Sequence, residues 1–132
     1  MPHIEMKHDE KPELVLKRKL GDVSEIEIFN NQLLVAVYVR PNMTKGGIEL
    51  PSDYVKEDEN QSKIGLVVAM GAEAFNDPTG KWFGGIKKKI AVGDWVIFRP
   101  SEGWPITVNK TLCRMLDDTN VRGRVPHPDS VY

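Results

Sequence analysis

The sequence has little of what most catalytic or membrane proteins need. It holds one cysteine and three histidines in 132 residues, with a formal net charge of −1. Cys113 alone cannot form an internal disulfide, and it suits a reducing compartment. The near-zero charge, with 28% charged residues, gives no strong pull toward nucleic acid or acidic membranes. No apolar run approaches the 18 or so residues of a membrane span, and charged residues interrupt Met1 to Lys19 where a signal peptide would be apolar. These features point to a soluble, cytoplasmic protein. Hydrophobic residues make up 40% of the chain, which allows one modest core with loops or tails.

Catalytic patterns are also missing. There is no G-x-S-x-G, no H-E-x-x-H and no phosphate-cradling glycine loop. Cys113 sits in a strand-like run without a histidine near it in sequence and reads as a small core residue. Asp117-Asp118 reads as a turn. His3 and His8 lack supporting ligand types, so no metal site is expected, and no cofactor either; His127 lies in a proline-rich tail, where a catalytic base would be poorly held. The chain does not read as an enzyme. Trp82, Phe83, Trp95, Phe98 and Trp104 could stack bases beside Lys87 to Lys89. However, Trp95 and Phe98 lie in a core-like run, and nucleic-acid binding is not expected.

What is present is a series of short strand signals. Residues 1–24 form a polar extension broken by Pro2 and Pro12, expected to be a partly ordered arm. Glu25-Ile26-Glu27-Ile28-Phe29 alternates like a half-buried strand, and Leu33 to Val39 is a β-rich apolar run. Ile64 to Met70, Trp95 to Phe98, Ile106 to Val108, Thr111 to Leu116 and Val121 to Val125 supply further strands. Asn109-Lys110 suits a tight turn. Between 72 and 86, Asn76-Asp77-Pro78-Thr79-Gly80 is dense in turn residues and reads as the tip of a hairpin. No convincing amphipathic helix is seen, and residues 126–132 read as a loose tail. Short strands broken by glycine and proline argue for an all-β domain, a small antiparallel barrel or sandwich.

One stretch stands apart. Thr44-Lys45-Gly46-Gly47-Ile48-Glu49-Leu50-Pro51 places two glycines before a short extended unit closed by proline. In an extended segment Ile48 and Leu50 share one face and Glu49 points away, which suits a docking finger or equally a loop leading into a buried strand.

The order of the segments NNQLLVAV, KGGIELP, IGLVVAMG and VGDWVIF, with their spacing, resembles the GroES family of co-chaperonins over roughly residues 28–125. The resemblance implies a partly open GroES-like barrel over residues 25–125, with a mobile loop at about 40–51 and a roof β-hairpin at about 72–86. It further implies a homo-heptameric ring that caps a GroEL-type chaperonin, assists ATP-dependent folding of non-native client proteins and leaves ATP to the partner. By position, Gly46, Gly47, Ile48, Glu49 and Leu50 are the chaperonin-binding residues. Phe75, Trp82, Phe83 and Trp104 are the roof or cavity residues. The chain departs from the family in Glu49, in a longer polar connection from Ser52 to Lys63, in a more aromatic roof, in its N-terminal arm and in a polar Val121–Val125. Such divergence would suit a virus-encoded member acting in a host cytoplasm. The alternative is a structural or virion-associated protein that reuses the barrel and assembles through its arm. A medium-chain alcohol dehydrogenase domain, which shares the fold, would need zinc-binding cysteines and a dinucleotide-binding domain that this sequence lacks.

Overall fold

Leu33 to Val37 are all buried, as a continuous apolar run demands of a strand covered on both faces. This strand, β1 (Gln32–Val37), organises a six-stranded antiparallel sheet. The computed structural model describes residue 8 and residues 10–40 and 62–131. In these, α1 (Pro12–Leu20) precedes β1, and β2 (Ile64–Met70), β3 (Trp95–Ile97), β4 (Trp104–Val108), β5 (Thr111–Asp117) and β6 (Gly123–Val125) follow. Single 3-10 turns span Asp118–Asn120 and Pro128–Ser130. The strand order is β4-β5-β1-β2-β3-β6, so the sheet is not closed and β4 and β6 are its edges. The all-β class expected from the sequence is what the chain adopts.

Alternation along β1 divides the core in two. Leu34 and Ala36 join Ile64, Leu66, Trp95 and Cys113 on one side, while Leu33 and Val35 join Val67, Val96, Phe98 and Leu116 on the other. The β1–β2 register steps from Leu34 opposite Ala69 to Val35 opposite Val67, leaving Val68 as an extra residue. A bulge of this kind bends the sheet and increases its twist. β4 and β5 are joined by Asn109-Lys110, both at positive φ (48° and 65°), between the paired Val108 and Thr111. That is the left-handed geometry of a two-residue hairpin turn, at the site the sequence indicates.

Three local expectations need correction. The N-terminal arm contains a helix. Pro12 occupies its first turn, Glu13 follows, and Lys17, Arg18 and Lys19 complement the negative C-terminal end of its dipole. Leu16 and Leu20, four residues apart, are buried on the first face of the sheet, Leu20 at 1% exposure. Nine residues with so narrow an apolar stripe are held by packing rather than by propensity, which is why the pattern does not announce a helix.

The strand expected at Glu25–Phe29 forms no ladder among the described residues. A turn bonds the Ile26 N–H to the Val23 carbonyl at 3.0 Å, and Phe29 is 68% exposed. The tail is not loose up to residue 131. Pro128 and Asp129 are buried, and a 3-10 turn carries them.

Candidate functional site: the loop root and the roof

The expected docking residues Gly46, Gly47, Ile48, Glu49 and Leu50 lie outside the described residues. What is described is the frame on either side of them. β1 and β2 are antiparallel neighbours, so both ends of the intervening segment leave the same end of the pair. The pairing continues one step past β1, where the Tyr38 N–H donates to the Ile64 carbonyl at 3.0 Å. Ser62 closes the gap: its buried hydroxyl donates to the Tyr38 carbonyl at 2.8 Å. The Tyr38 ring packs edge-on against Trp95 with centroids 5.6 Å apart, and its hydroxyl donates to Asp129 Oδ1 at 2.5 Å. The root is thus buried and hydrogen-bonded on both sides.

The residues expected to form the roof fall into inward and outward sets. Phe75 is buried at a positive φ of 59° and meets Phe83 edge-on at 5.1 Å, so both belong to the second core. The Phe75 N–H donates to Asp118 Oδ2 at 3.0 Å, and Asn31 Nδ2 donates to Asp118 Oδ1 at 3.1 Å. One buried carboxylate therefore ties the 72–86 segment to Asn31, just before β1, and to the end of β5. Asp77 shapes the rest of the roof. Its Oδ2 accepts the N–H groups of Trp82 at 2.8 Å and Phe83 at 2.7 Å, and these bonds, that from Phe83 first, hold its carboxyl below the usual range.

The result is a run of turns over residues 72–86 rather than a strand-paired hairpin, because side-chain acceptors take the amides that a ladder would use. Trp82 is left 67% exposed, beside Lys81 with its Nζ 5.8 Å from the ring centroid. An open groove of about 700 Å³ runs between these aromatic residues and the Arg122–Arg124 strip. Trp104 does not join this groove. It stands on edge strand β4, 56% exposed.

Cys113 is buried and its thiol is pushed up to about 11 by burial, which makes it a poor nucleophile. The turn reading of Asp117-Asp118 stands, but nothing local in the sequence signals that Asp118 is buried and captures the roof. Nor does any motif bring His8 and His127 together around buried Asp129. Only the turn-forming character of Asn76-Asp77-Pro78 is visible in the sequence, without the amides that Asp77 holds.

A family model described as "Chaperonin 10 Kd subunit" matches residues 25–125, well over half of the chain. No curated protein matches the sequence. No helix among the described residues is long and apolar enough to cross a membrane.

Proposed function

This chain belongs to the chaperonin 10 kDa subunit family and is a co-chaperonin, and we propose that it acts as a ring that caps a GroEL-type chaperonin during ATP-dependent folding. The ring is a homo-heptamer, ATP is bound and hydrolysed by the partner, and client proteins are met only inside the capped chamber. Ile48 and Leu50 dock on the chaperonin, with Gly46 and Gly47 giving the backbone freedom to present them and Glu49 facing away.

One observation carries the reading. The Thr44–Pro51 stretch falls between β1 and β2, whose facing ends are tied together through Tyr38 and Ser62. A segment anchored at both ends on a rigid pair can present two apolar residues without loosening the barrel. We assign the chamber-facing role to Trp82 and Trp104, which are exposed, whereas Phe75 and Phe83 pack in the second core. The alternative, assembly of a structural protein through its N-terminal arm, has less support, because Leu16 and Leu20 of that arm are buried on the chain's own sheet.

The test is co-sedimentation of the protein with a chaperonin ring and nucleotide, together with the native mass of the free assembly. A multimer that binds in the presence of nucleotide, and loses binding on Leu50→Asp, is the expected result. A monomeric protein, or binding indifferent to Leu50→Asp, would overturn the reading.

A further inference from the structure

Residues 121 positions apart meet at the loop root. His8 Nε2 lies 2.8 Å from Asp129 Oδ2. His127 Nδ1 lies 3.9 Å from the same oxygen, and the two imidazole rings are edge-on with centroids 5.5 Å apart. One ligand atom from each of the three residues lies within 4.8 Å of the other two. Asp129 is only 6% exposed, and its other oxygen accepts the Tyr38 hydroxyl at 2.5 Å.

We propose that His8, His127 and Asp129 form a binding site for a divalent transition-metal ion of the Zn²⁺ type. Two imidazole nitrogens and one carboxylate oxygen are a donor set that Zn²⁺ favours, with a water completing the tetrahedron. Bonds of about 2.0–2.1 Å place tetrahedral ligand atoms roughly 3.3–3.4 Å apart. The 2.8 and 3.9 Å separations straddle that value and no two of the three ligand atoms are more than 4.8 Å apart, so side-chain shifts of about 1–1.5 Å would seat the ion.

His127 Nδ1 accepts the Asp129 N–H at 3.1 Å, so its lone pair is engaged and the ring proton resides on Nε2. A metal at Nδ1 breaks that hydrogen bond and takes the lone pair in its place, a cost that the binding energy must offset. At His8 the ion takes the place between Nε2 and the carboxylate, with the neutral ring carrying its proton on Nδ1. Tyr38 acts as the orienting partner that holds the carboxylate in place, the arrangement that usually supports a ligating group.

The consequence is mechanical. His8 precedes α1, His127 and Asp129 belong to the C-terminal segment, and Tyr38 sits at the root of the 41–61 segment. One ion would clip both chain ends to the point where that segment begins. This inference stands apart from the capping function, because metal binding is read without a chaperonin.

Untagged full-length protein, stripped with a chelator, is titrated with Zn²⁺ against a chromophoric competitor. Its thermal unfolding is followed with and without the ion. Saturable binding of one Zn²⁺ per chain is expected, with a higher melting temperature in its presence. His8→Ala and His127→Ala should each weaken binding by at least about tenfold and abolish the thermal shift, while His3→Ala retains both. Asp129→Asn alters a buried side chain and so perturbs folding together with binding, which makes the exposed His127 the decisive variant. Absence of saturable binding, a ratio well below one per chain, or binding unchanged by His127→Ala would overturn the proposal. So would loss on His3→Ala that equals the loss on His8→Ala, since the ion would then be held by the N-terminal segment.

Discussion

The Tyr38 hydroxyl donates to Asp129 Oδ1 at 2.5 Å across 91 positions of sequence, and this bond pins the C-terminal segment to the end of β1. Both residues are buried, and the acceptor is a carboxylate. Hydrogen bonds to charged groups are worth more than neutral ones. Tyr38→Phe preserves the ring contact with Trp95 and removes only the hydroxyl. It should lower stability by about 1.5–3 kcal/mol in guanidinium denaturation, with an unchanged slope against denaturant. The same variant should expose the tail to carboxypeptidase more quickly than in the wild type.

Helix α1 offers a contrast within one short segment. Leu20 is almost fully buried against the sheet, whereas Leu14 on the same helix is half exposed. Leu20→Ala should cost about 2–5 kcal/mol, the range for a buried leucine whose cavity cannot fully collapse. Leu14→Ala should stay within about 0.5 kcal/mol of the wild type. Equal effects in chemical denaturation would mean that the helix is not docked as described.

Much of the sheet is legible in the amino-acid sequence, and the reasons differ by residue. Leu33–Val37 and Ile64–Val67 are unbroken β-rich apolar runs, and a strand buried on both faces is what such runs encode. Asn109-Lys110 and the Asn76–Gly80 cluster mark turns by local chemistry. The contacts that position the site are of another kind. Asp118 on Phe75, Asp129 on Tyr38 and Leu20 under Asn109 join residues 43, 91 and 89 positions apart. No period or local propensity specifies such pairings. Glu25–Phe29 shows the opposite failure. Its alternation is good, but alternation names a face without supplying a neighbouring strand, and Ile26 and Phe29 remain exposed. At the candidate site the four ordered segments identify the family, yet they carry no sign that Phe75 and Phe83 are core and Trp82 is not.

Gly103 tests how tightly the β4–β5 hairpin is closed. It lies at φ +73°, and a Cβ placed there would come 2.3 Å from the Met115 carbonyl oxygen. The neighbour is backbone in a paired strand, so it cannot yield cheaply. Gly103→Ala should destabilise by more than the roughly 1–2 kcal/mol of left-handed strain alone. The loss should appear as a lower denaturation midpoint, and a neutral result would place residue 103 in an unstrained conformation.

Cys113 gives the fold a limit at alkaline pH. Burial raises its thiol from the ordinary 9.0 to about 11, so the folded state prefers the neutral form more than the unfolded chain does. The stabilising contribution is complete below pH 9, then falls as pH rises through 9 toward 11, because only the unfolded thiol ionises there. Cys113→Ala should therefore show a shallower loss of stability over that window than the wild type. Alkylating reagents should leave the native thiol untouched at neutral pH and label it fully in denaturant.

The proposed docking finger sets the last prediction, because its energetics would depend on copy number. Burying Ile48 and Leu50 on a partner would contribute about 1.5–3 kcal/mol each. Ordering some eight residues on docking costs on the order of 1–2 kcal/mol apiece. A single finger therefore binds weakly at best, even with help from backbone pairing. Several fingers on one ring make each later contact intramolecular, and avidity can then rise by about 10²–10⁴. In assemblies mixed from wild-type and Leu50→Asp chains, capture by a chaperonin should fall much more steeply than the fraction of altered chains. Glu49→Ala, at the middle position of the proposed finger, should leave capture intact. A linear decline with Leu50→Asp would mean that each finger acts alone, and loss of capture with Glu49→Ala would place the middle residue at the interface.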